Sequence, residues 1–161
     1  TSAQTELPRL RRFRLVLTAA AAYAALTLLA DIGLTLGRPV GAICHGVLVL
    51  ARTRDPATGR SLLYGRRTTC LPKYMERSAF VATAWRLGRY YRTYPAYVED
   101  EVGAALRASA DFERGPRELS KRGTAIDDGP AFVVEDGNYI SARWPGDAYL
   151  FAKRMADRLG G

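Results

Sequence analysis

Pro39-Val40-Gly41-Ala42-Ile43-Cys44-His45-Gly46-Val47-Leu48-Val49-Leu50-Ala51 reads as a short buried strand, a sharp turn and a helix. Val40 to Ile43 is apolar and small on both faces, as suits a central strand of a parallel sheet. Val47 to Ala51 continues apolar, as a helix packed on that sheet would. Between them, Ala42-x-Cys44-x-Gly46 sets small residues two before and two after a candidate nucleophile. This is the pattern of a nucleophile elbow, a strained turn that lifts a side chain above the sheet and tolerates only small neighbours. A thiol at the start of a helix also meets the partial positive charge of its N-terminus, which favours thiolate. The competing reading is a buried cysteine that merely ends a strand, since free Cys is among the most buried residue types.

Around that stretch, 161 residues make one domain large enough to bury a core. Lys and Arg number 24 against 16 Asp and Glu, a net charge of +8, and only Lys73, Lys121 and Lys153 are lysines. A basic chain invites a nucleic-acid or membrane reading. The arginines, however, are scattered in pairs such as Arg66/Arg67, and none forms a run interleaved with aromatics. Composition therefore argues for a solvated arginine-rich surface and against nucleic acid. Two cysteines, Cys44 and Cys70, make no disulfide framework, which points to a reducing, cytoplasmic setting. No Cys/His cluster has metal-ligand spacing and no phosphate-binding loop is present, so neither metal nor cofactor is expected.

Arg9, Arg11, Arg12 and Arg14 precede an uncharged run from Leu15 to Ala30. The run is alanine-rich, stops at Asp31 and falls short of the ~20 apolar residues that a membrane span needs. It reads as a helix on the sheet, with Gly37 as its C-cap. Downstream, Ser61–Tyr64 and Tyr97–Val102 read as strands, and residues 73–91 as a helix. Ala131–Val134 and Tyr139–Ala142 flank the turn Glu135-Asp136-Gly137-Asn138, a hairpin signal. Residues 113–129 form an excursion, and Asp147 to Leu159 a last amphipathic helix.

Three segments carry a resemblance to a known family. Ala42-Ile43-Cys44-His45-Gly46 resembles the nucleophile turn of the ThiJ/PfpI family, the class I glutamine amidotransferase-like proteins. Asp136-Gly137-Asn138-Tyr139-Ile140-Ser141-Ala142-Arg143-Trp144-Pro145-Gly146-Asp147-Ala148 resembles that family's closing segment, and residues 57–69 resemble the strand after the nucleophile helix. The resemblance covers residues 26–161 and leaves residues 1–25 as an unrelated basic, Ala-rich segment. It implies an α/β, flavodoxin-like three-layer α/β/α sandwich on a mostly parallel sheet. The family's upstream strands, its glycine-rich turn and the glutamate that meets its cysteine find no match, so the expected domain is incomplete at its N-terminus.

As to function, the resemblance implies a cysteine-dependent peptidase or amidase, or a glyoxalase or deglycase, acting on a small-molecule or peptide carbonyl. The alternative is a non-catalytic stress-response, chaperone or redox-sensing protein on the same fold. Whether the chain is an enzyme stays open at this point. Cys44 is the candidate nucleophile and His45, the only histidine, the candidate base. The backbone amides of His45 and Gly46 are candidates for an oxyanion hole. By resemblance, Arg143, Trp144 and Pro145 lie near the pocket and a subunit interface. The acidic partner is left among Glu76, Glu99 and Asp100. An incomplete sheet would expose one edge of the nucleophile strand, which predicts a homo-oligomer.

Overall fold

Gly37, at φ +66°, ends the first helix (α1, residues 21–35) by turning left-handed. The Arg38 N–H then reaches back to the Gly33 carbonyl at 2.8 Å, the closing bond of a Schellman cap. The computed structural model describes residues 21–90, 92 and 94–160. The basic flank at Arg9–Arg14 and the start of the apolar run lie outside them, and the boundary at 25/26 falls inside α1. No helix among the described residues is long and apolar enough to cross a membrane.

From the cap the chain enters β1 (Val40–Ile43), turns through a 3-10 segment at Cys44–Gly46 and continues as α2 (Val47–Arg52). There follow α3 (Lys73–Leu87), α4 (Val98–Ala105), β2 (Val133–Asp136), β3 (Tyr139–Ala142) and α5 (Ala148–Gly160). The sheet among these residues has the order β1-β3-β2. β1 pairs parallel with β3, Val40 opposite Tyr139 and Ile43 opposite Ala142. β2 and β3 are antiparallel, because two residues turn the chain between them with Gly137 at φ +57°. The sheet is thus mixed, not mostly parallel. β1 stands at its edge, and the central place goes to β3, all four of whose residues are buried.

Helices cover both faces of β1. On one side Gly33 of α1 comes so close to Val40 that an added Cβ would lie 2.7 Å from its side chain. On the other, a Cβ at Gly41 would lie 2.6 Å from Phe151 and 2.9 Å from the Met155 sulfur of α5. This is the α/β/α layering in miniature; the described residues do not display a full sandwich. The core gathers Val47, Leu48, Leu50 and Ala51 of α2, Leu63, Cys70, Val98, Val102 and Tyr139.

Two expected strands are absent. Ser61 makes one antiparallel bridge, to Arg54, and then the chain turns, with Tyr64 N–H on Ser61 O at 2.9 Å and Gly65 at φ +79°. The Ser61 hydroxyl donates to Leu50 O and accepts from Leu63 N–H, so a side chain takes the bonds a ladder would have used. Residues expected as a strand at 97–102 instead enter α4, whose first turn holds Glu99, Asp100 and Glu101, where negative charge stabilises a helix.

A buried ion pair holds the 113–129 excursion, and Pro130 just after it, to the sheet. The side chains of Arg143 and Asp147 are 0% and 1% exposed and meet at 2.8 Å. Arg143 also donates to the carbonyls of Pro116 (2.7 Å) and Pro130 (3.3 Å), and Asp147 accepts the N–H of Phe132 and of Arg143 itself.

Candidate functional site

Cys44 is the one residue other than glycine with a positive φ, +58°, among those described. A side chain that is not β-branched can be held there, at a cost, when the surroundings over-determine it. β1 and α2 do so from either side. The turn throws the thiol out of the sheet plane and brings the next side chain round to it, so that Cys44 Sγ and His45 Nδ1 lie 3.4 Å apart. Adjacent residues on a regular strand point to opposite faces; the left-handed residue makes this pairing possible. The His45 ring in turn stands 6.0 Å from Tyr94, which lies under the Arg52 guanidinium, itself bonded to Glu101. Gly46 is exposed and faces open space.

Cys44 and His45 open into a cavity of about 550 Å³. Leu71 and the α3 residues Met75, Glu76, Ser78, Ala79 and Ala82 form one wall, and Leu119, Trp144 and Pro145 another. Met75, Ala79 and Ala82 recur at helical spacing, so a single face of α3 supplies the apolar wall. Trp144 folds back over Gly146, where an added Cβ would lie 2.2 Å from the indole. Its ring N–H has no protein partner.

Of the three carboxylates left open by the sequence, the fold brings Glu76 to this cavity. Glu99 is engaged with Arg114 and the Lys73 N–H, and Asp100 with the Lys73 ammonium. Glu76 is only 4% exposed, and its carboxylate accepts the Val98 N–H at 3.1 Å. No hydrogen bond joins Glu76 to His45 among the described residues. Trp144 and Pro145 line the cavity, whereas the Arg143 guanidinium is turned inside the protein and paired with Asp147. Leu119, from the excursion, had no signal in sequence. Cys70 is fully buried.

Burial pushes the Cys44 thiol pKa up; the His45 N–H bonded to the sulfur pulls it down, and the charge of Glu76 adds to the rise. The expected helix-start effect does not prevail, since α2 is only six residues long and begins after a 3-10 turn. Burial raises the Cys70 thiol much further. The Cys44 sulfur is thus shifted toward its thiol form, and the His45 ring nitrogen stands 3.4 Å from it. No group of three or more His, Cys, Asp or Glu among the described residues is placed to hold a metal ion.

No protein-family model matches the sequence, and no curated protein matches it. The fold has solved counterparts. A structural-genomics crystal structure superposes with a TM-score of 0.61 at 21% identity, covering 84% of this chain and 50% of its own. Glyoxalase III from Candida albicans gives 0.57 at 21%, with 82% and 48% covered. The 24 kDa Rapid Encystment Protein of Francisella tularensis gives 0.54 at 22%, with 78% and 45% covered. At these identities the likeness is one of fold. It is consistent with a ThiJ-like fold, and the chain spans about half the length of each.

Proposed function

We propose that the protein adds the Cys44 thiol to the carbonyl carbon of a small substrate, with His45 as its base. The observation that carries this reading is the left-handed Cys44, with His45 Nδ1 at 3.4 Å from its sulfur and both facing one cavity. In the first step the S–C bond forms and the carbonyl π pair moves onto oxygen. The thiol proton passes to Nδ1 and from there to that oxygen, so a hemithioacetal forms with no net gain or loss of protons. With a 2-oxoaldehyde, moving the C1 hydrogen to C2 yields a 2-hydroxyacyl thioester. Water then hydrolyses it to a 2-hydroxy acid and restores the thiol. An amide substrate would share the addition step and expel an amine instead. The fold likeness to a protein named glyoxalase III favours the aldehyde branch. Oxidation sensing is the weaker reading, because oxidation follows thiolate character and the Cys44 thiol is shifted toward its protonated form.

The test is incubation with phenylglyoxal, following mandelate by NMR, for the native chain and for Cys44→Ala and His45→Ala. Mandelate from the native chain, lost in both variants, is the expected result; mandelate formation that survives Cys44→Ala sinks the proposal. The same reading carries a reducing compartment, in keeping with two free cysteines, and self-association through the open edge of β1.

A further inference from the structure

The cavity walls suggest which carbonyl compounds fit. Leu71, Met75, Ala79, Leu119, Trp144 and Pro145 present carbon to its interior. The charged side chain among its lining residues is Glu76, 4% exposed. Among the described residues that line it none is Lys or Arg, although the chain carries 24 of them and a net charge of +8. A carboxylate or phosphate entering this space would lose its water, find no Lys or Arg among the described lining residues and approach Glu76. An uncharged compound meets no such barrier and gains from each carbon it buries. At about 550 Å³ the cavity falls within the range that encloses ligands well beyond two or three carbons.

Building on the proposed thiol addition, we infer that the site selects uncharged carbonyl compounds bearing an apolar tail and rejects anionic ones. The reactive carbon lies at Cys44, and the tail runs along the Met75–Ala79–Ala82 face of α3 toward Leu119. Glu76 excludes anions by its charge, with no Lys or Arg among the described lining residues to offset it.

Binding is tested first without chemistry, on the full chain. Butanamide, hexanamide and octanamide, and the carboxylates of the same lengths, compete against iodoacetamide for Cys44, with ligand-observed NMR as a measure independent of thiol reactivity. The amides are expected to strengthen about two- to fourfold per added methylene, with each carboxylate at least about tenfold weaker than its amide. Ala82→Arg, which sets a cation at the rim, is expected to narrow that gap. Carboxylates that bind as well as amides, no gain with length, or no binding of any amide by NMR overturns the inference. Turnover separates it from the catalytic reading. Amides binding in the expected order with phenylglyoxal untouched leaves selectivity standing and removes catalysis. 4-Carboxyphenylglyoxal, an anionic 2-oxoaldehyde, turned over as fast as phenylglyoxal leaves catalysis standing and removes selectivity.

Discussion

The carboxylate of Glu76 accepts the backbone N–H of Val98 at 3.1 Å while lining the cavity of Cys44. Glu99, one residue on from Val98, returns the contact by accepting the Lys73 N–H at 2.7 Å. Each of α3 and α4 thus satisfies an orphan donor at the other's start. The cavity's acid, carried by α3, is thereby tied to the start of α4.

Glu76→Gln keeps a carbonyl oxygen for the Val98 N–H and removes the charge that helps raise the Cys44 thiol. Faster alkylation of Cys44 by iodoacetamide at neutral pH is the expected outcome, with an unchanged melting temperature to within a few degrees. Glu76→Ala loses the cap as well and is expected to cost about 1 kcal/mol in urea unfolding. A slower Cys44 in the Gln variant would show that the carboxylate assists the thiol.

Alkylation separates the two cysteines. Cys44 is part-exposed, whereas Cys70 is 0% exposed with a thiol raised well above the ordinary range. Peptide mapping over time is expected to show Cys44 reacting more than about tenfold faster. Because the Cys44 thiol is also raised, its rate should keep climbing with pH through 9 and not level off near neutrality. Equal rates at both positions would remove the case for a special site.

Asp147→Ala leaves the Arg143 guanidinium buried without its counter-charge. Removing one member of a buried pair costs about 3–5 kcal/mol. Urea unfolding should report that loss, and protease sensitivity should appear first in residues 113–131, which Arg143 holds through Pro116 and Pro130. A loss below about 1 kcal/mol, the level of a surface pair, would contradict this role.

Gly41→Ala places a methyl group against Phe151 and Met155 of α5, at 2.6 and 2.9 Å. Overpacking of this kind costs about 1–3 kcal/mol. Adding Phe151→Leu should recover part of it, a coupling that a thermal double-mutant cycle measures. Additive losses would mean that α5 does not press on β1 at this point.

Alkali should unfold the protein through Tyr139. Its hydroxyl is buried against Thr68 at 2.9 Å, and burial pushes its pKa up to about 12, from about 10 in an open chain. Between those values the folded state holds a proton that the unfolded state has released, so stability is full below pH 10 and declines as pH rises toward 12. Tyr139→Phe should flatten that decline in a denaturation series from pH 9 to 12.

The turn at Cys44 was legible in the sequence because its cause is local. The apolar strand Val40–Ile43 runs into the apolar helix Val47–Arg52 with only Cys44–Gly46 between them, so the chain must turn sharply at Cys44. The hairpin at Gly137 and the α1 cap at Gly37 were legible for the same reason. Glu76 was visible only as one of three carboxylates. What selects it is the packing of α3 against α4, a contact across 22 residues that no spacing encodes. The segment 97–102 was misread for the matching reason: its apolar ends suit a strand, and the acid that caps it as a helix comes from elsewhere in the chain. Arg143 resembled a pocket residue in sequence, yet only tertiary structure brings Pro116, Pro130 and Asp147 around it and turns the guanidinium inward. Pairing order, too, is a matter of distant contact. β1 carries the small apolar residues of a central strand, but which strands flank it depends on chain far away, and among the described residues β3 holds the centre.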